Sequence, residues 1–377
     1  MNLPSIRMLY SNAFRISLAI LLFASIKSTA QLNTPKEVIS SRNRIKLIRS
    51  PEIQTELSMD ARQVQAIEKL LDSVDLPLWQ LRDVPIEQSN PLASSFNQQL
   101  KDGLARILRP DQYKRFNQLV MRFEGWRTLQ LPSVVDELDF SQLQKDKYQV
   151  FLTEFQNLQG KSLQTIGLSE YQWIRGNLTP SQREKLTALL GKAYDFSRCT
   201  IREVKAPEII AADQWLNSSP IKMEQLRGKV VIVTFWTFGC INCVRNLPHY
   251  KKWHSQLPKD QAVMVAFHTP ETEGEHNISN LKQAVLEKKL EFPIAVDNDK
   301  ANWKAWGNQI WPSIYLVDKQ GYVRNWWYGE LNWQGATGDK QMLDRIYQLM
   351  AEKVNKELST NKLDSTDTAR QYHPAQF

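Results

Sequence analysis

The stretch Phe235-Trp236-Thr237-Phe238-Gly239-Cys240-Ile241-Asn242-Cys243 decides the fold of this chain. It follows the apolar run Val230-Val231-Ile232-Val233, which predicts a buried β-strand. The two cysteines are therefore expected where a strand passes into a helix. The unpaired N–H groups and the positive end of the helix dipole favour an anion there, so Cys240 should hold a thiolate more readily than an isolated cysteine.

The spacing of the two cysteines predicts redox chemistry. Cys240 and Cys243 lie on one face of the first helical turn, close enough to exchange two electrons as a disulfide. The alternatives are half of a zinc site or two ordinary buried cysteines. Zinc would need two further ligands, and His249 and His254 follow too closely on the same predicted helix to fold back around a metal. Because Val244 follows the motif instead of histidine, the haem attachment signal is also missing. We predict no metal.

Residues 1–30 have the features of a secretory signal peptide. Arg7 and Arg15 form a positive region before an apolar segment at 16–26, and Ser28-Thr29-Ala30 is a small-residue cleavage signal. The apolar segment is shorter than the roughly twenty residues of a membrane span. We predict cleavage after Ala30 and a periplasmic or secreted protein, with membrane anchoring by an uncleaved signal as the alternative. Disulfides are made and shuffled outside the cytoplasm.

Length and charge restrict the function classes. A chain of 377 residues is long enough for two domains and a tail. Its formal net charge is +8, and removal of Arg7, Arg15 and Lys27 with the signal leaves +5. This modest excess, without a basic cluster interleaved with aromatics, predicts no nucleic-acid partner. With only three cysteines the chain cannot be a disulfide-stapled scaffold and must bury an ordinary apolar core.

The first half of the chain has helical periodicity. Apolar residues recur at helical spacing over 56–196, which predicts an all-α helical domain at 31–200. Cys199, near its end, is expected to be a buried apolar residue or, alternatively, the partner in an intermolecular disulfide.

Four helix starts share an apolar residue, a capping segment and then a glutamine: Gln63, Gln112, Gln144 and Gln182.

These helix starts resemble the LTxxQ motif of small periplasmic helical proteins of the Spy and CpxP kind. The resemblance implies chaperone-like binding of unfolded chains. The alternative is that they are simply well-capped helices of a bundle.

After a predicted linker at 202–207, the spacing of the apolar residues is no longer that of helices alone. The order β-α-β-α-β, then two adjacent strands and a final helix, predicts a central mixed sheet with helices on both faces. The predicted strands are 230–236, 262–267, 292–296, 313–317 and one through 322–327. The polar segment 353–377 lacks periodicity and is predicted to be a disordered tail.

Motifs spread over 206–350 resemble the thioredoxin fold, in the TlpA/ResA branch of extracytoplasmic thiol-disulfide oxidoreductases. Within that branch the region is most similar to the C-terminal domain of DipZ proteins. We therefore expect an α/β thioredoxin-like domain at 201–352. The matching motifs are Leu226-Arg-Gly-Lys-Val-Val231, Phe235-Trp236-Thr237, Cys240-Ile241-Asn242-Cys243, Leu247-Pro248-His249, Phe267-His268-Thr269-Pro270-Glu271, Val296-Asp297-Asn298-Asp299 and Trp311-Pro312-Ser313.

The resemblance implies roles for individual residues. Cys240 aligns with the exposed nucleophile that forms a mixed disulfide with the partner, and Cys243 with the resolving cysteine. Pro312 occupies the position of a cis-proline facing the active-site disulfide. It would place the Trp311 backbone where an incoming peptide can pair like an added strand. Trp236 is also placed near the site.

Two departures from the family pattern affect the chemistry. Ile241 and Asn242 replace the familiar Gly-Pro between the cysteines, and such residues tune thiolate stability. The buried acid that assists the resolving cysteine falls at Thr234, whose hydroxyl cannot accept a proton in that way. Water or another group must serve, with Glu271 and His249 as candidates.

The resulting interpretation is a thiol-disulfide oxidoreductase that needs no cofactor. Its expected partners are cysteine-containing protein substrates and a membrane or extracytoplasmic electron donor. A client-binding helical protein with an auxiliary redox domain is one alternative. A thiol peroxidase is another, although only Thr237 of its Pro-x-x-x-Thr-x-x-Cys pattern is matched, since Val233 stands at the proline position.

Overall fold

The computed structural model describes residues 36–156, 171–210, 212 and 214–353. The predicted signal peptide at 1–30 lies outside these ranges, as does the predicted tail beyond residue 353. None of the helices within the ranges is long and apolar enough to span a membrane.

The first half of the described chain is helical, as predicted. Its helices are α1 (Lys36–Arg49), α2 (Pro51–Glu56), α3 (Ala61–Leu71), α4 (Asp75–Gln80), α5 (Ile86–Ile107), α6 (Pro110–Glu124), α7 (Pro132–Glu137), α8 (Gln142–Gln156), α9 (171–177) and α10 (Pro180–Leu190). Helices α1 to α6 share one apolar core, which also buries the Cys199 thiol. A second core lies among α7 to α10, around Leu138, Tyr148 and Trp173.

The glutamines at the helix starts pair across the bundle. Each accepts a hydrogen bond from the backbone N–H at the start of its own helix. The Gln63 side-chain amide also donates to the Ile107 carbonyl at 3.0 Å and to Oε1 of Gln112 at 2.8 Å. Gln144 and Gln182 form a second pair of the same design. The glutamines of the shared sequence pattern thus connect the starts of two helices by hydrogen bonds. The resemblance to Spy and CpxP stays a prediction.

The second half contains a 7-stranded sheet with the order β1-β7-β6-β3-β4-β5-β2. Strands β3, β4 and β5 run parallel, whereas β6 is antiparallel to both β3 and β7. The strands are β1 (Val204–Lys205), β2 (Trp215–Leu216), β3 (Val230–Trp236), β4 (Ala262–His268), β5 (Ile294–Val296), β6 (Ser313–Val317) and β7 (Tyr322–Tyr328). The helices are α11 (Ile241–Gln256), α12 (Ile278–Glu287), α13 (Ala301–Ala305) and α14 (Gly338–Ala351). This is the predicted mixed sheet, with helices on both faces.

Different helices pack against the two faces of the sheet. Alternate residues of β3, including Ile232 and Trp236, pack with the apolar residues of α11, α12 and α14. The opposite face, with Val233 and Phe235, packs against α13 and against Trp79 of α4. The helical half therefore contributes a large aromatic side chain to the core of the second half.

The segment 202–207 is not a simple linker, which corrects that prediction. Residues Val204–Lys205 form β1 and pair with β7 at the edge of the sheet. A two-residue strand has no readable alternation, and its partner lies far along the chain. The neighbouring Glu203 side chain forms ion pairs with Arg42 and with Lys46, the latter at 2.7 Å. Burial alone would raise the pKa of Glu203, but Lys46 and Arg42 lower it to about 2.

Candidate active site at the Cys240–Cys243 turn

The cysteine turn lies between the end of a fully buried strand and the start of a helix. Strand β3 ends at Trp236, and Cys240 is the N-cap residue of α11. The parallel strands β3, β4 and β5 end at this same edge of the sheet. Backbone N–H groups of the first turn of α11 therefore point towards the Cys240 sulfur, as the strand-to-helix pattern predicts.

The Cys240 sulfur is stabilised as a thiolate. Hydrogen bonding from the Cys243 side chain lowers its pKa; burial opposes this, and the backbone N–H groups of Cys243 and Asn242 add to the lowering. The negative charge of Glu271 has a smaller, opposite effect, and the resulting pKa of Cys240 is about 6. A thiol with this pKa is largely ionised at neutral pH and is therefore nucleophilic.

Cys243 is held in the opposite protonation state. It is fully buried, whereas Cys240 is half-buried, and both are free thiols. Burial raises the pKa of Cys243 far above its ordinary value, and its hydrogen bond to Cys240 and the charge on Cys240 raise it further. One sulfur is thus an accessible thiolate, and its neighbour is a buried thiol that donates to it.

Pro312 lies beside the cysteine turn. The Trp311–Pro312 peptide bond is cis, as the resemblance implies. Ser313 of β6 pairs with Phe235 of β3, so Pro312 lies next to the end of the strand that leads into the turn. The Pro312 carbonyl accepts a hydrogen bond from the N–H of Gly329 at 2.8 Å.

Trp311 is held by contacts to its ring and by a hydrogen bond from its indole N–H. Its ring stacks on Trp303 with centroids 3.9 Å apart, and the Lys300 ammonium lies 5.3 Å from its ring centroid. Its indole N–H donates to the Thr269 carbonyl at 3.0 Å. Trp311 and Cys240 both pack at the edge of the core beneath α11.

The other predicted residues of the site have distinct environments. Trp236 is fully buried and meets the His268 ring edge-on. Ile241, between the cysteines, is 60% exposed, and Asn242 is half-buried. Ile241 therefore presents an apolar surface directly beside the Cys240 sulfur.

The structure separates the candidates for proton transfer. His249 Nδ1 lies 3.4 Å from Oδ2 of Asp339, which gives it a partner other than the cysteines. Thr234 is fully buried in β3, and its hydroxyl has no hydrogen-bond partner within the described chain. Glu271 is the carboxylate whose charge affects the pKa of both Cys240 and Cys243.

Glu275 is a site residue that the sequence analysis missed. Its buried carboxylate accepts hydrogen bonds from the backbone N–H of Gly239 at 2.8 Å, of Glu271 at 2.7 Å and of Thr272 at 2.9 Å. Burial would raise the pKa of Glu275, but hydrogen bonds from Thr237 and these backbone groups leave it lowered. The spacing of Thr272 and Glu275 as a capping box was the available sequence signal.

Glycine at position 239 permits the close approach of this carboxylate. A Cβ atom there would lie 2.4 Å from Oε1 of Glu275. Glu275 thus holds the residue immediately before Cys240.

His268, which lies in one of the matching motifs but was given no role there, supports the same turn from the end of β4. Its ring stacks on Phe238 at 5.4 Å, and Nε2 lies 3.3 Å from the Thr237 hydroxyl. Burial lowers the pKa of His268 to about 4, so the imidazole is neutral at physiological pH.

Comparison with known proteins agrees with this geometry. Residues 203–326 match the model of the AhpC/TSA family. The chain is 33% identical over 158 residues to the protein DipZ of Mycobacterium tuberculosis, an alignment that covers 41% of this chain and 22% of DipZ. It is 27% identical over 146 residues to the thiol-disulfide oxidoreductase YkuV of Bacillus subtilis, covering 39% of this chain and 94% of YkuV.

Among solved structures, a thiol-disulfide isomerase from Corynebacterium glutamicum is 26% identical and has a TM-score of 0.35. That alignment covers 39% of this chain and 98% of the isomerase. The sheet topology and the cis Trp311–Pro312 bond beside a C-x-x-C turn show that the second half of this chain has a thioredoxin-like fold, and its residues 203–326 are similar to the AhpC/TSA family.

Proposed function

We propose that this chain is a thiol-disulfide oxidoreductase that exchanges a Cys240–Cys243 disulfide with protein thiols through a mixed disulfide on Cys240. One observation carries the proposal: a half-exposed sulfur with a pKa of about 6 is hydrogen-bonded to a buried thiol three residues further along the chain. Thiol-disulfide exchange at neutral pH requires an ionised sulfur that attacks the substrate. It also requires a second thiol that then displaces the substrate from the mixed disulfide.

In the reducing direction, the Cys240 thiolate attacks one sulfur of a substrate disulfide. A bond forms between Sγ of Cys240 and that sulfur, and the other substrate sulfur leaves as a thiolate. Formation of this mixed disulfide removes the charge on Cys240. It also ends the thiolate hydrogen bond from Cys243, so two of the effects that raise the pKa of Cys243 disappear.

The second step releases the substrate. Cys243 loses its proton to water or to Glu271 and attacks Sγ of Cys240, and the second substrate sulfur leaves as a thiolate. Two electrons pass from the cysteine pair to the substrate, and the two substrate thiolates take up protons from solvent. A dithiol donor restores the pair by the same steps in reverse.

The proposed partners are cysteine-containing proteins and a membrane or extracytoplasmic electron donor. The signal features at 1–30 support an extracytoplasmic location, either periplasmic or secreted. The roles of Cys240, Cys243 and Pro312 belong to this proposal, as do the domain boundaries at 31–200 and 201–352.

The test is reduction of insulin by the full chain with dithiothreitol as the electron donor. We expect Cys240→Ser to abolish the acceleration, and we expect reduced Cys243→Ser to accumulate a mixed disulfide with insulin when dithiothreitol has been removed. Cys199→Ser, which removes a buried thiol of the helical core, is the matched control and should retain the rate. Full activity of Cys240→Ser would refute the proposal, and rapid peroxide consumption without insulin reduction would favour a peroxidase.

A further inference from the structure

The loop that carries Pro312 is held by the helical half of the chain. It runs from Gly307 to Pro312, between α13 and β6. At its far end, Trp311 is fixed by its bond to the Thr269 carbonyl. Its near end contacts the segment 79–83, which includes the end of α4 and the residues that follow it.

Arg82 is the centre of this contact. It is 1% exposed, and its guanidinium donates to the carbonyl of Gly307 at 3.2 Å and to that of Trp79 at 3.1 Å. It also donates to the hydroxyls of Tyr315 at 2.7 Å and of Tyr328 at 2.8 Å. A planar group with five donors can join these four acceptors, whereas a lysine ammonium cannot.

Gln80 holds the same end of the loop. Its side-chain amide donates to the carbonyls of Lys304 at 3.3 Å and Ala305 at 2.9 Å, at the end of α13. The backbone of residue 307 adopts φ +62°, and a Cβ atom there would lie 3.0 Å from Arg82 and 3.1 Å from Gln80. Glycine at 307 therefore permits both the loop conformation and the close approach of the helical segment.

Two short routes connect Arg82 with Pro312. Along the loop, the hydroxyl of Tyr315 donates to Oδ1 of Asn308 at 2.5 Å, so the phenol that Arg82 binds also holds the residue after Gly307. Along β7, Tyr328 pairs with Ser313, and the next N–H, that of Gly329, donates to the Pro312 carbonyl. Arg82 thus binds the hydroxyls of two tyrosines, of which Tyr315 also contacts Asn308 in the loop and Tyr328 lies on the strand that pairs beside Pro312.

We propose that Arg82, assisted by Gln80, is a positioning residue of the redox site that fixes the loop on which a substrate polypeptide pairs. The inference rests on the proposed function. It assigns the helical half a part in binding polypeptide substrates, while the sulfur chemistry of Cys240 remains a property of the thioredoxin-like domain. A small disulfide, which needs no backbone pairing, should therefore be insensitive to this contact.

The experiment compares two substrates in the full chain. Insulin reduction under dithiothreitol measures KM and kcat for a polypeptide, and reaction of the reduced protein with 5,5′-dithiobis(2-nitrobenzoate) measures the intrinsic reactivity of Cys240. We expect Arg82→Lys to raise KM for insulin about tenfold and to leave the small-disulfide rate within about twofold.

A second variant provides a test even where replacement of the buried Arg82 prevents folding. Gln80→Ala removes only the bonds to α13 and should raise KM for insulin about threefold. Gln54→Ala is the matched control, because it removes a glutamine-to-carbonyl bond of 3.0 Å to Ile48, within the helical half. Its KM should equal that of the unmodified chain.

Two results would overturn the proposal: an unchanged KM in Gln80→Ala, or a parallel loss of insulin and small-disulfide reactivity in the variants. Failure of the unmodified chain to reduce insulin would instead refute the proposed function, so the two failures are distinguishable.

Discussion

Cys240 and Cys243 occupy the same helical turn, yet their surroundings favour opposite protonation states. The difference arises because the first sulfur receives hydrogen bonds from the turn, whereas the second is buried beneath it. Local spacing therefore brings the two sulfurs together, and burial distinguishes their roles.

The first prediction concerns the pH dependence of Cys240. We expect its alkylation by iodoacetamide in the reduced chain to follow thiolate formation with a midpoint near pH 6. Cys243→Ala should move the midpoint upwards because the largest cause of the lowered pKa is lost. The Cys199→Ser background keeps the readout on the active-site pair. A midpoint near the value of a free cysteine, about 8.5, would contradict the geometry described for the turn.

The second prediction concerns Glu275. Glu275→Gln should loosen the turn, because an amide nitrogen cannot accept the backbone N–H bonds that one carboxylate oxygen receives from Glu271 and Thr272. We expect a loss of about 1–3 kcal/mol in the free energy of unfolding and a slower alkylation of Cys240. Urea unfolding and alkylation rates measure the two effects. Glu273→Gln, at an exposed neighbouring position, is the control and should change neither.

At the scale of elements, β3 connects the core with the site. All seven of its residues are buried, since the strand is paired on both sides and covered on both faces. Thr234 is its one polar side chain, and the strand places it on the same face as Trp236. A hydroxyl without a partner at such a position costs free energy of folding.

The third prediction follows from that cost. Thr234→Val keeps the shape of the side chain and should raise the free energy of unfolding by about 1 kcal/mol. Thr237→Val, where the hydroxyl contacts His268 and Glu275, should lower it instead. Urea denaturation of both variants checks the opposite signs. A destabilised Thr234→Val chain would show that the hydroxyl has a partner.

At the scale of the whole molecule, the two halves share a core and a network of ion pairs. Trp79 of α4 lies against the sheet with its ring 5.0 Å from that of Trp326, and Arg42 and Lys46 of α1 pair with Glu203 beside β1. Removal of either half would expose large apolar groups and leave buried charges without partners.

The fourth prediction uses Glu203 to measure this connection. Its pKa falls from 4.5 in the unfolded chain to about 2 in the folded protein, so its ion pairs contribute stability fully above pH 4.5. This contribution should be lost progressively as the pH falls from 4.5 through about 2.

Glu203→Gln should therefore destabilise the chain at neutral pH and flatten the acid branch of the stability curve between those values. Glu208→Gln, which leaves both ion pairs intact, serves as the comparison. Parallel acid branches for the unmodified chain and Glu203→Gln would exclude a contribution from this carboxylate.

Most predictions about the site came from patterns of residues that are close together along the chain. The apolar run of β3, the C-x-x-C spacing and the capped helix starts are patterns within a few residues, and backbone geometry translates them directly into elements. Pro312 was placed by resemblance rather than by spacing. Glu275 was missed because it reaches Gly239 from a separate loop, and β1 was missed because its pairing partner lies in β7.

The amino-acid sequence by itself thus determined a helical half, a thioredoxin-like half and a pair of cysteines between a strand and a helix. Only the tertiary structure decided that the Cys243 thiol is buried, that Glu275 holds the turn and that Arg82 reaches the loop of Pro312. Arg82 and Gly307 are far apart in sequence, and their contact depends on how the two halves pack. Such contacts follow from the joint burial of many side chains, which no short sequence pattern encodes.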